Sequence, residues 1–296
     1  MGSIMHTSWK HEFIHANGIR IHYVTAGKGP LVILLHGFPE FCYAWRHQIP
    51  VLAEHFQVVA PDLRGYGETE RPLNVSDYRP SVLVEDVSAL IKALGHEKAH
   101  IVGHDWGGGI AWRTALDQPQ VVDRLAVLNC PHPYVIPRAL RTNFRQIRKS
   151  WYIFFFQIPY LPEFIFNLNR KRFIENVFRG MTARKETFSD EDLEQYLQAL
   201  EKPGAYKAAI DYYRAAFRSL PKKNETDQSK KIMAPTLLIW GEDDAALGKE
   251  LTYDMERLFE GPFRIQYVPN CSHWVNEEQP ELVNRLLLQF LLDKQA

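Results

Sequence analysis

The feature that most restricts how this chain can fold is Gly103-His104-Asp105-Trp106-Gly107-Gly108, set between a strand-like run at His100 to Val102 and a helix-like stretch from Gly107 to about Gln118. Glycines on both sides of one residue let a backbone pass from strand to helix in a single tight turn. Such a turn holds the Asp105 side chain at its tip, with the backbone N–H of Trp106 facing the same place at the start of the helix. An aspartate there can also simply cap the helix that follows. The rest of the chain decides between the two.

That rest alternates in type. Two strand-like runs flank Asn17-Gly18 between Glu12 and Gly27, a hairpin signal. Leu31 to Leu35 and Gln57 to Ala60 are short continuous apolar runs, as strands buried on both faces should be. A helix from Ser81 to Leu94, the strand and helix around Asp105, and a strand from Leu125 to Asn129 continue the pattern. Repeated strand-helix units predict an α/β fold with a mostly parallel, doubly wound sheet. From Pro131 to about Lys231 the rhythm gives way to aromatic and charged helical segments, read as an inserted helical cap. Strands return at Thr236 to Trp240 and Arg264 to Val268, with helices from Lys249 to Phe259 and after Pro280. The expected organisation is a core from residues 1–130 and 232–296, with residues 131–231 as the lid.

Thirty-five basic residues balance thirty-five acidic ones, and 46% of the 296 residues are hydrophobic. This is globular composition, and no net field draws the chain to nucleic acid or to an anionic membrane. A small, weakly charged partner is expected. Cys42, Cys130 and Cys271 are too few and too scattered for a disulfide framework or a zinc site, so the expectation is a reduced, cytoplasmic protein with no metal and no cofactor. No run approaches the ~18 apolar residues of a membrane span. Residues 1–10 lack a signal-peptide apolar core, and His6 stands where a myristoylation motif needs Ser or Thr. No membrane anchor is expected; a homodimer is compatible with this reading.

Two further features follow the turn in the chain order nucleophile, acid, histidine. Glu242-Asp243-Asp244 comes directly after the Thr236 to Trp240 strand, where an acid can orient a histidine; Asp244 is the preferred partner and Asp243 the alternative. His273, in the loop after the last strand, is the histidine placed to meet both acids and to act as a base. His36-Gly37-Phe38-Pro39 follows the Leu31 to Leu35 strand, and the Phe38 N–H, with that of Trp106, would make an oxyanion hole. His36 and His104 are read as structural.

An aspartate in place of serine changes the chemistry. A carboxylate is already ionised, with an ordinary pKa of ~3.9, and needs no base of its own. It can attack an electrophilic carbon and form an ester, which leaves the histidine free to activate water. The leaving group is then an epoxide oxygen, which wants a proton donor such as tyrosine, or a halide, which needs only N–H or apolar contacts.

The sequence resembles the epoxide hydrolases of the α/β-hydrolase superfamily over nearly its whole length. The likeness is carried by residues 36–40 (HGFPE), 45–48 (WRHQ), 62–67 (DLRGYG), 103–108, the cap segment 151–159 (WYIFFFQIP) and 272–274 (SHW). It implies addition of water to an epoxide to give a vicinal diol, with Tyr152 and Tyr213 as the tyrosines that bind and protonate the epoxide oxygen. Read without the resemblance, both are ordinary cap-core aromatics. Phe154, Phe155 and Phe156 are candidates for the apolar lining.

The nearest rivals are haloalkane and fluoroacetate dehalogenases, which share the aspartate and the fold. The latter place arginines one and four residues after the nucleophile, where this chain has Trp106 and Gly109; Arg113 is read as a helix-face or salt-bridge residue. The former usually carry Asn at the position of Phe38. Trp106 keeps the halide reading open through its indole N–H. A non-catalytic receptor on the same fold is the remaining alternative.

Overall fold

Asn17 and Gly18 take φ of +46° and +74°, the two left-handed residues a tight hairpin turn requires. They join β1 (Lys10–Ala16) to β2 (Ile19–Ala26), paired antiparallel from Ala16 opposite Ile19 out to Lys10 opposite Thr25. The computed structural model describes residues 9–220 and 230–293. Residues 1–8 of the segment read for signal and myristoylation features, and residues 221–229 of the stretch read as a lid, lie outside them.

Six more strands complete the sheet: β3 (Leu31–Leu35), β4 (Gln57–Pro61), β5 (Ala99–His104), β6 (Val122–Leu128), β7 (Thr236–Gly241) and β8 (Phe263–Val268). Their order is β1-β2-β4-β3-β5-β6-β7-β8, antiparallel as far as β4 and parallel beyond it. This is the mostly parallel α/β sheet the sequence predicts. Every residue of β3 is buried because the strand feeds two cores: Leu31, Ile33 and Leu35 pack into one, Val32 and Leu34 into the other. A parallel strand covered on both faces has no polar side to show, hence the uninterrupted apolar run.

Chain order reverses at β3, which is followed on one side by β4 and flanked on the other by β5. Loops leaving the carboxyl ends of strands at such a switch point diverge and leave a crevice. The loop after β3 carries Phe38, that after β5 carries Asp105, and those after β7 and β8 carry Asp244 and His273. Close packing keeps the crevice narrow: a Cβ on Gly107 would lie 2.0 Å from the Leu35 carbonyl oxygen. Only glycine lets the Trp106–Asp117 helix start so near β3.

Between β6 and β7 the described residues form helices, among them Ile136–Thr142, Trp151–Phe155, Leu161–Leu168, Arg170–Phe178, Asp190–Glu201 and Ala205–Arg218. Polar caps set several starts: Asn143 and Asn169 accept from Gln146 and Arg172, and Ser189 with Asp192 forms a capping box. These helices rest on the core through Tyr212, whose hydroxyl donates to the Arg64 carbonyl at 2.7 Å, and through Phe178, stacked on Trp274 with centroids 4.8 Å apart.

One expected element is absent. Residues Lys249 to Phe259 form two short 3-10 turns, Lys249–Thr252 and Glu256–Leu258, and no single helix. Tyr253 is extended and Asp254 has φ +56°, so the helical hydrogen-bond ladder cannot pass through them. Among the described residues no helix is long and apolar enough to cross a membrane.

Candidate active site

Asp105 sits at φ +49°, ψ −119°, a conformation that costs a non-glycine residue about 1–3 kcal/mol. Its side chain makes no capping bond to the helix it precedes. Instead Oδ1 accepts the Phe38 backbone N–H at 2.9 Å, and Oδ2 lies 3.5 Å from His273 Nε2. A helix cap would point the carboxylate back at its own backbone; this one points across the switch point. The Trp106 N–H, the other expected donor, makes no bond to Asp105. It belongs to the first helical residue, where backbone donors have no intrahelical partner.

His273 Nδ1 is 2.7 Å from Asp244 Oδ2. The other Asp244 oxygen accepts the N–H groups of Ala246 and Leu247, both at 2.8 Å. Asp243 is exposed and only its backbone is engaged, donating to the Cys271 carbonyl. Of the two acids left open by the sequence, His273 therefore meets Asp244. Asn129, which the sequence reading passed over as a strand end, completes the arrangement: its amide donates to Asp244 Oδ2 at 2.9 Å and its Oδ1 accepts the Gly241 N–H at 2.9 Å.

A cavity of about 620 Å³ opens over these groups, lined by Phe38, Asp105, Tyr152, Phe156, Tyr213 and His273 among others. The rings of Tyr152 and Tyr213 are 5.8 Å apart, and Tyr213 stands edge-on to Trp106 at 4.9 Å and to Phe38 at 5.3 Å. Phe155 and Phe156 line the cavity as expected, but Phe154 does not. It turns outward beside Phe217, because successive positions around a helical turn cannot all face the same side. Arg113 pairs with Asp117 one turn on, at 2.7 Å, and does not reach the site.

Electrostatics follow from burial among opposite charges. Burial alone would raise the Asp105 carboxyl, but the hydrogen bond and charge of His273, with the Phe38 N–H, hold it below the ordinary range. Asp244 is likewise lowered, its burial outweighed by His273, Asn129 and backbone N–H groups. Burial works against a charged His273, yet Asp244 and Asp105 together raise it well above the usual imidazole value. Burial and the charge of Asp105 both push the tyrosines up, so Tyr152 and Tyr213 stay protonated donors.

Two histidines read as structural are indeed built into the support. His104 bridges Glu40 Oε2, at 3.0 Å, and the His273 carbonyl, at 2.9 Å, while the same Glu40 oxygen accepts the Gly37 N–H. His36 Nε2 accepts the Leu63 N–H at 2.9 Å. The described residues also gather His22, Cys42 and Asp62 with side-chain ligand atoms within 4.8 Å. Both Asp62 oxygens are already committed, however, to His22 and to the N–H groups of Cys42 and Glu68. All three cysteines are buried and free.

Residues 30–280 match the family described as alpha/beta hydrolase fold. The chain belongs to the α/β-hydrolase family. It is 39% identical over 287 residues to "Epoxide hydrolase 4" of Homo sapiens, covering 95% of this chain and 78% of that protein. A second relative, "AB hydrolase superfamily protein YfhM" of Bacillus subtilis, is 37% identical over 95% of this chain and 98% of its own length. Among solved structures, an epoxide hydrolase of Bacillus megaterium in complex with an inhibitor superposes with a TM-score of 0.83 at 31% identity, covering 95% of this chain and all of that one. This α/β-hydrolase is a hydrolytic enzyme, and its relatives include several named epoxide hydrolases.

Proposed function

We propose that this enzyme adds water to an epoxide through a covalent ester on Asp105, beneath a cap formed by the helices between β6 and β7. The observation that carries the reading is the pair of protonated tyrosines, Tyr152 and Tyr213, sharing one cavity wall with Asp105 and His273. An Asp105 oxygen attacks an epoxide carbon, the ring C–O bond breaks, and the alkoxide takes a proton from a tyrosine hydroxyl.

Ester formation also prepares the second step. It removes the Asp105 charge, one of the two that raise His273, so the imidazolium can return a proton to the tyrosinate and, once neutral, accept one from water. The resulting hydroxide attacks the Asp105 carboxyl carbon. The oxyanion is received by the Phe38 N–H and the otherwise uncommitted Trp106 N–H. When the ester C–O bond breaks, the diol leaves with Asp105 again a carboxylate. The proton His273 takes from water replaces the one it returned to the tyrosine, so every group ends as it began.

A competition assay at neutral pH tests this: diol release from aryl and alkyl epoxides, scored beside halide release from fluoroacetate, chloroacetate and a haloalkane. Diol without halide supports the reading. Halide without diol overturns it in favour of a dehalogenase using the same Asp105, His273 and Asp244.

A further inference from the structure

The Leu161–Leu168 helix carries an apolar stripe that faces outward. Leu161, Phe164, Ile165 and Leu168 stand at i, i+3, i+4 and i+7, the spacing that normally buries a helix on a core. Here they are 39%, 60%, 46% and 68% exposed, while Pro162 and Phe166 occupy the inner face. Trp151, Phe154, Ile158 and Tyr160, just before this helix, are also exposed. So large an accumulation of uncovered apolar side chains in one short stretch marks a contact surface. Trp151 and Ile165 belong both to this face and to the wall of the active-site cavity, so the cavity meets the surface there.

Charge says what the contact is with. Residues 131–172 contain eight basic side chains and one acidic, Glu163, in a chain whose total is zero. Glu163 is itself paired with Arg214. Arg138, Arg141, Arg145 and Arg148 precede the apolar stretch and Lys171 and Arg172 follow it. All six are exposed, and none forms a salt bridge with a described residue. Apolar and aromatic side chains flanked along the chain by exposed cations that make no salt bridge among the described residues fit the boundary layer of a bilayer with anionic headgroups. A second copy fits poorly, because a two-fold contact through this face would set like charge against like.

We propose that this face docks onto an anionic membrane surface, with Phe164, Leu168 and Trp151 in the interfacial layer, the flanking arginines and lysine on lipid phosphates, and the cavity opening toward the lipid. Vesicle co-sedimentation of the full chain tests it without reference to turnover, using phosphatidylcholine alone and phosphatidylcholine mixed with phosphatidylserine, at low and high salt. The expected result is sedimentation with the mixed vesicles that weakens with salt. A Leu161→Ser, Phe164→Ser, Leu168→Ser variant should bind about tenfold less or weaker still, and Arg145→Glu with Arg148→Glu should erase the preference for anionic lipid. These residues are outside the cavity wall, and an unchanged melting temperature shows each variant folded. Failure of the parent protein to sediment with either vesicle overturns the proposal. So does a dimer in sedimentation velocity that the same apolar substitutions dissociate, which would make the face a self-contact.

Discussion

Asn129 donates its amide to the same Asp244 oxygen that His273 Nδ1 meets, at 2.9 and 2.7 Å, and so shares in holding that carboxylate in place. Asn129→Ala would strand the Gly241 N–H and a carboxylate lone pair in a buried place. A stability loss of about 1–3 kcal/mol is expected from unmet buried polar groups. Because Asp244 would also lose its fixed orientation, kcat should fall with little change in KM. Thermal unfolding and steady-state kinetics on the same preparation measure both; a change in KM alone would contradict the positioning role.

His273→Gln should leave the first half of the reaction intact and stop the second. Incubation with an epoxide should then leave a protein heavier by the mass of the substrate, localised by peptide mass spectrometry to Asp105. Asp105→Asn should show neither adduct nor diol, with turnover down by roughly 10³-fold or more, as befits loss of a nucleophile. An adduct on any other residue would remove Asp105 from the proposed role.

What the sequence made readable and what it hid divide along a physical line. The turn around Asp105 and the Asn17-Gly18 hairpin are legible because both need glycine at fixed positions, and such positions admit few alternatives. The acid beside His273 is less so, since Asp243 and Asp244 are chemically identical and only the path of the loop after β7 buries one and exposes the other. Asn129 and the Glu40–His104 bridge escape notice because their value lies in partners more than sixty residues away. The expected helix at Lys249 to Phe259 fails at Asp254, whose left-handed backbone has no glycine to announce it. Whole-chain charge misleads differently: a total of zero conceals a basic stretch at residues 131–172 and an equally acidic remainder.

Removing one hydroxyl at a time separates the two leaving groups. Tyr152→Phe and Tyr213→Phe should each slow diol formation by about 10²-fold, the lower end for loss of a general acid, and the double substitution more. Accumulation of the ester should slow in parallel, because the proton is needed when the ring opens. If single-turnover ester formation kept its parent rate in the double variant, the tyrosines would be cavity wall and nothing more.

Asp62 provides an acid-stability test away from the reaction. Burial would raise its carboxyl, but His22 and the N–H groups of Cys42 and Glu68 bring it down to about 2 from 3.8. A carboxyl depressed on folding stabilises the native state fully above its unfolded value, and this contribution fades as pH falls through 3.8 toward 2. Its size is about 2 kcal/mol. In urea titrations the stability gap between the parent protein and Asp62→Asn should therefore be widest near pH 5 to 6 and narrow by roughly that amount at the acid end. A gap independent of pH would assign Asp62 a packing role only.

The sheet takes β7 and β8 from beyond the helices that interrupt it, which gives the molecule a temporal order as it leaves the ribosome. By the time β6 has emerged, Asp105 and Phe38 are already in the chain, but the flank of β6 waits for more than a hundred residues before β7 can cover it. An uncovered parallel strand is adhesive, so this interval is when the nascent chain most needs a chaperone. Asp244 and His273 arrive last, and on the proposed mechanism a chain cut short before them would carry the attacking carboxylate without the groups that release what it captures.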